Sequence, residues 1–192
     1  MNLREILIHH NINGSEKKGT DKDTKHSYLG VYEEIFREYK NKTIEILELG
    51  IQFGGSSLLW HDYFLESNLT LIDIEELMTD EIKSKLDQRR YNYIISDAYQ
   101  QKIIEILGDK KFDIIIDDGP HTIQSQKFVI NSYSKFLHRD SIMVIEDIQS
   151  YDNLKELIKI TEEKKLKYEV INLINIKGRY DDILLIIKLK ND

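Results

Sequence analysis

The stretch FDIIIDDGPH at residues 112–121 constrains the fold of this chain most. A continuous apolar run marks a strand buried on both faces, as in parallel sheets covered by helices. Here the run stops in Asp117 and Asp118, a Gly-Pro turn and His121. Such a strand delivers its charge to the carboxyl edge of a sheet, where open α/β sheets bind ligands. The pattern recurs at residues 141–147, SIMVIED, where the run ends in Glu146 and Asp147. Four acids and a histidine at two strand ends suggest a metal site with a base beside it.

The remaining pattern supplies the frame for those two strands. Apolar positions Leu3, Ile6 and Leu7 give a short helical period. Residues 11–25 are polar and carry Gly14, Gly19 and the run GTDKDTKHSY, which is loop chemistry. Leu29, Tyr32, Ile35, Phe36 and Tyr39 share one face of a predicted helix over 28–39. Strands are predicted at 43–49, 69–74, 91–95, within the opening stretch 112–121, and at 141–145, 168–174 and 183–189, with helices between all but the last two. This alternation predicts an α/β, Rossmann-like, doubly wound seven-stranded sheet, mostly parallel. The last connection is too short for a parallel crossover, so the final strand should run antiparallel. A single domain over 1–192 is expected, with residues 1–40 as an N-terminal helical and loop extension covering the active site.

Composition narrows the chemistry. The 192 residues include no cysteine, so disulfides and thiolate metal sites are excluded. A metal would be held by oxygen or imidazole. The net charge of −7 disfavours broad attraction to nucleic acid. Lys17-Lys18 and Lys164-Lys165 read as solvated positions. No apolar stretch approaches the roughly 20 residues of a membrane helix, and residues 1–14 lack a leader's apolar block. The expected compartment is the cytoplasm, with no membrane partner. The 28–39 helix and the final strands could support a homo-oligomer.

The first strand-to-helix turn carries ELGIQFGGSS at residues 48–57. It is neither a Walker loop nor a GxGxxG fingerprint, but it stands where doubly wound folds bind nucleotide-like cofactors. Glu48, Gly50, Gly54 and Ser56 are candidate cofactor residues there. Asp73 ends the second strand, where a carboxylate can accept ribose hydroxyls. Asp97 ends the third strand and could reach an adenine amino group.

These motifs resemble those of class I S-adenosylmethionine-dependent methyltransferases. More narrowly, GTDK at 19–22 with His26 and Tyr28, ELGIQFGGS, IDI, DDGPH and IEDI resemble the metal-dependent macrolide-sugar O-methyltransferases and cephalosporin hydroxylase-like proteins. The resemblance implies S-adenosyl-L-methionine as cofactor and Mg2+ or Mn2+ held by Asp118, Glu146 and Asp147. It implies His121 as general base, and a Mg-dependent O-methyltransferase acting on a sugar or glycoside hydroxyl. Asp117 would support the turn or the cofactor. Lys22, His26 and Tyr28 would belong to a segment folded over cofactor or acceptor. His9, His10, His61 and His138 read as structural, and Trp60 and Tyr63 as helix packing. Catechols or other vicinal diols are alternative acceptors. A nucleotide-dependent oxidoreductase and a non-catalytic cofactor-binding partner are readings from other classes.

Overall fold

The computed structural model describes residues 1–14 and 17–190. Seven strands form one sheet: β1 (Ile44–Leu49), β2 (Ser67–Asp73), β3 (Tyr91–Ile95), β4 (Ile114–Asp117), β5 (Ile142–Ile145), β6 (Leu166–Asn172) and β7 (Ile183–Leu189). Their spatial order is β3-β2-β1-β4-β5-β7-β6. The first five pair in parallel. β7 is antiparallel to both of its neighbours, β5 and β6. The order reverses at β1, whose neighbours are β2 and β4, which is the switch point that opens a crevice in such sheets.

Helices cover both faces: α1 (Leu3–His10), α2 (Leu29–Ile35), α3 (Gly55–Tyr63), α4 (Asp80–Lys85), α5 (Gln101–Leu107), α6 (Ile123–Tyr133), α7 (Tyr151–Glu163) and α8 (Ile174–Lys177). Among the described residues none is long and apolar enough to cross a membrane. Side-chain alternation along the strands divides the core in two. Ile46, Ile114, Ile116, Ile142 and Val144 pack with α1, α2 and α3. Leu47, Leu49, Ile115, Met143 and Ile145 pack with α5, α6 and α7.

Several boundaries differ from the sequence pattern. α2 stops at Ile35, and Phe36 and Tyr39 continue in turns. Residues 134–136 tighten into a 3₁₀ turn after α6. α7 begins at Tyr151 because Ser150 caps it, its side chain accepting from the Asn153 N–H. α8 lies in the β6–β7 connection, where the pattern showed only a loop.

The described part of the N-terminal 40 residues contributes side chains to the core. Leu3, Ile6, Tyr28, Tyr32 and Phe36 are buried in the cluster that contains Trp60 and Ile114. The chain reaches α2 by crossing the start of α3 at backbone contact. A Cβ on Gly55 would lie 2.4 Å from the Gly19 carbonyl, so only glycine fits this crossing.

Candidate functional site

At the carboxyl edge of β1, β2, β3, β4 and β5 lies a cavity of about 920 Å³. Its first end is made by the loop after β1. Gly50 adopts φ +82, and a Cβ there would stand 2.2 Å from the Asp118 carbonyl oxygen. The N–H groups of Ile51 and Gln52 both donate to Asp73 Oδ2 at 2.8 Å. Asp73 therefore fixes the loop with one carboxylate oxygen while lining the cavity. Gly50, Ser56 and Asp97 also line it. Asp97 accepts the Tyr99 N–H at 2.8 Å and the Gln100 amide at 3.1 Å.

The second end is made by the turns after β4 and β5. Asp118, His121 and Asp147 each offer a ligand atom, and these atoms lie within 4.8 Å of one another. His121 Nε2 is 3.7 Å from Asp118 Oδ1 and 3.5 Å from Asp147 Oδ2. His121 (φ 53) and Asp147 (φ 54) both occupy the left-handed region. That region is costly for side-chain-bearing residues and tends to occur where function requires it. Burial and then the Asp118 charge push the Asp147 carboxyl up to about 7.

Behind these donors lies a buried network. Lys22 Nζ donates to Asp118 Oδ2 at 2.8 Å and to both Glu146 oxygens at 2.6 Å. Burial alone would lower the Lys22 pKa, but Asp118, Glu146 and Glu48 outweigh it and raise it. The Tyr32 hydroxyl also donates to Glu146. Tyr28 donates to Asp147 Oδ1 at 2.5 Å. Burial and the neighbouring acids push the Tyr28 hydroxyl up, so it remains a donor. His26 Nδ1 sits between Asp147 and Asp182, at 3.3 and 3.2 Å.

The structure thus separates the residues singled out by sequence. Gly50, Ser56, Asp73, Asp97, Asp118, His121 and Asp147 line one cavity. Glu48 does not: it is buried and accepts from Ser57 Oγ and Trp60 Nε1, and burial raises its pKa. Gly54 packs against Met78 and Ile82 instead. Asp117 points to the opposite face and accepts from Tyr99 Oη at 2.7 Å; burial pushes it up to about 6. Glu146 is turned inward to Lys22 and Tyr32, so the three side chains whose ligand atoms converge, Asp118, His121 and Asp147, do not include it. Lys22, His26 and Tyr28 lie beneath the acids rather than over a ligand, because all three are buried.

Sequence reading missed Tyr32, Tyr99 and Asp182. Tyr32 was indistinguishable from an apolar-face residue, since its hydroxyl partner lies 114 residues away. Asp182 stood in a loop with no partner in reach along the chain. Only Tyr99 carried a local signal, two residues after Asp97 at a strand end. Of the histidines read as structural, His10 and His61 pair with Asp62, and His138 with Asp113. Trp60 packs edge-on against Tyr32.

Solved structures share this architecture over nearly the whole chain. The MycE methyltransferase from the mycinamycin biosynthetic pathway, in complex with Mg, SAH and mycinamycin VI, superposes with a TM-score of 0.73 at 18% identity. The match covers 98% of this chain and 54% of that one. The fold is that of the class I methyltransferases. In sequence, the chain is 28% identical over 132 residues to demethylmacrocin O-methyltransferase of Streptomyces fradiae, covering 64% of this chain and 32% of that protein. It is 25% identical over 143 residues to a rhamnosyl tetracenomycin-C 2'-O-methyltransferase of Streptomyces olivaceus, covering 70% and 36%. The chain therefore spans about a third of the length of these curated relatives. No protein-family model matches it. Within the class I fold, the cavity lies at the β1 switch point, with the glycine loop at one end and the acids at the other.

Proposed function

We propose that this chain is a divalent-metal-dependent O-methyltransferase using S-adenosyl-L-methionine, with a sugar or glycoside hydroxyl as acceptor. The observation that carries this reading is one cavity with a glycine loop braced by Asp73 at one end and Asp118, His121 and Asp147 at the other. The sugar O-methyltransferases it resembles support the acceptor class. We place the reaction in the cytoplasm.

The donor set suits Mg2+ or Mn2+. The Asp118 and Asp147 carboxylates are hard oxygen ligands of the kind these ions prefer, which leaves the His121 imidazole beside them as the base. Burial and then the neighbouring Asp118 charge raise the Asp147 carboxyl, and a bound cation would offset both. Asp118 and Asp147 would hold the ion, with His121 in reach and Glu146 behind. The ion would supply Lewis-acid activation and orientation of the acceptor hydroxyl.

The chain's own residues do the rest. The loop at Gly50–Gln52 lets backbone approach the cofactor, and Asp73, whose Oδ1 accepts the Glu75 N–H at 3.3 Å, keeps lone-pair capacity there to receive ribose hydroxyls. Ser56 lines the cavity from the first turn of α3, the end of a helix where N–H groups lack intrahelical partners. His121 Nε2 accepts the proton that leaves the acceptor hydroxyl. Holding oxygen, methyl carbon and sulfur in line supplies much of the remaining acceleration.

Mass spectrometry of a mixed acceptor panel with labelled cofactor tests the proposal. Methylated glycosides, lost in EDTA and recovered with Mg2+, are expected. Turnover of catechols with none of any glycoside would replace the sugar acceptor by a vicinal diol. Undiminished turnover in EDTA would refute metal dependence.

A further inference from the structure

Lys22 is 0% exposed, and its ammonium has no contact with the cavity. An ammonium has three N–H donors. Those of Lys22 are taken up by one oxygen of Asp118 and both oxygens of Glu146. None remains for an acceptor or cofactor. Asp118 consequently faces two ways: Oδ2 inward to Lys22, Oδ1 outward to His121. Glu146 is held entirely inward, although it precedes the cavity-lining Asp147.

The placement of Lys22 is strongly specified. Its segment enters through the Gly19–Gly55 backbone contact. The N–H groups of Thr24, Lys25 and His26 then converge on the Asp21 carbonyl. Lys177 Nζ donates to the Asp23 and His26 carbonyls at 2.6 Å and ties the loop to α8. A segment so fixed presents one ammonium to two carboxylates from adjacent strands.

Buried carboxylates brought together repel, and removing the partner of a buried charge is strongly destabilising. The Lys22 ammonium and a divalent ion draw on the same group of acids from opposite sides. We propose that Lys22 is the resident counter-cation of this site: it holds Asp118 and Glu146 together in the metal-free protein and competes with a divalent ion for them. It is a positioning residue, acting through the carboxylates. The inference rests on the metal-dependent reading above.

The test is Mg2+ titration calorimetry, with thermal unfolding in the presence and absence of Mg2+. The proteins are wild type, Lys22→Met and Lys22→Met/Glu146→Gln, with S-adenosylhomocysteine binding as a control for the fold. Lys22→Met is expected to melt lower without metal. It should bind Mg2+ about tenfold more tightly than wild type, because an opposing charge has gone. Adding Glu146→Gln should return the affinity toward wild type, since the released carboxylate is then absent. Recovery of Lys22→Met only in Mg2+, with unfolding on chelation, is the same result in stronger form. Unchanged or weaker Mg2+ binding in Lys22→Met, or a gain that persists in the double variant, overturns the proposal. So does failure of Lys22→Met to fold even in Mg2+, because the ion would then not replace the ammonium. Absence of Mg2+ binding in both wild type and Lys22→Met would sink the metal-dependent reading itself. Binding in wild type without a gain in Lys22→Met removes only the counter-cation role.

Discussion

The two ends of the cavity are built by different means. The glycine end is shaped by backbone: a left-handed Gly50, two N–H groups and one carboxylate, Asp73, that serves as a brace. The acid end is shaped by side-chain charge: Asp118 and Asp147 in front, Glu146 behind, and Lys22, Tyr28 and Tyr32 supplying donors from below. The first end has one demanding requirement, that no Cβ stand at Gly50. The second has many partners, and each removal leaves another buried charge or hydroxyl unpaired. The two ends meet at that glycine, because its missing Cβ would strike the Asp118 carbonyl.

The separation of the ends can be broken at several points. The largest effect is expected from Asp118→Ala or Asp147→Ala. Each should lower methyl transfer by about 10³-fold, the scale of losing transition-state charge stabilisation, while S-adenosylhomocysteine affinity stays near wild type by calorimetry. A matching loss of cofactor affinity would mean that the two ends are not separate.

Gly50→Val comes next and should damage both ends together. The φ of +82 and the 2.2 Å approach make the side chain incompatible with the turn. Thermal unfolding should show a loss of about 3 kcal/mol, typical of strained backbone, with weakened cofactor and Mg2+ binding. Full Mg2+ affinity in this variant would show that the acid end is organised without the loop.

Asp73→Ala should sharpen the contrast from the other side. Losing a charged hydrogen-bond partner is worth about 2 kcal/mol, so S-adenosylhomocysteine should bind roughly 30-fold more weakly. Mg2+ affinity should not change, and titrating both ligands checks this.

The smallest effect is a pH dependence. With the Asp147 carboxyl pushed up to about 7, the metal-free site holds a proton below that value and loses it above. An ion must displace the proton, so Mg2+ affinity should fall by about tenfold from pH 8 to pH 6. Calorimetry at the two pH values measures it, and Asp147→Asn should flatten the change along with most of the binding. Mg2+ affinity independent of pH across that range would show that Asp147 takes no part.

Much of this organisation was legible in sequence because its signals are local. Apolar runs of strand length, four of them followed by an acid and the first by the glycine loop, marked five parallel strands whose ends share one edge. Strand alternation even sorts the acids: Asp118 shares parity with Ile114 and Ile116, and Glu146 with Ile142 and Val144, while Asp117 falls with Ile115. The structure follows this parity, since Asp118 and Glu146 meet Lys22 whereas Asp117 meets Tyr99. The parity rule fails at Asp147, whose left-handed backbone swings it to the side of its neighbour Glu146.

The seven strands, the glycine turn and the edge at which the acids emerge were readable from the chain alone, because each is written within a few adjacent residues. Tertiary structure alone decided where the GTDK segment goes and what its lysine does. Lys22 finds partners 96 and 124 residues away. The motif resemblance puts this lysine in a segment over cofactor or acceptor, and nothing near it in the chain names its carboxylate partners. Its burial follows from a glycine-to-glycine crossing and from acids supplied by two other strands. The insertion of β7 between β5 and β6 was equally nonlocal: alternation and a short connection gave its direction but not its neighbours. Local periodicity fixes which residues share a face, whereas the partner that satisfies a buried charge is chosen only when distant segments pack together.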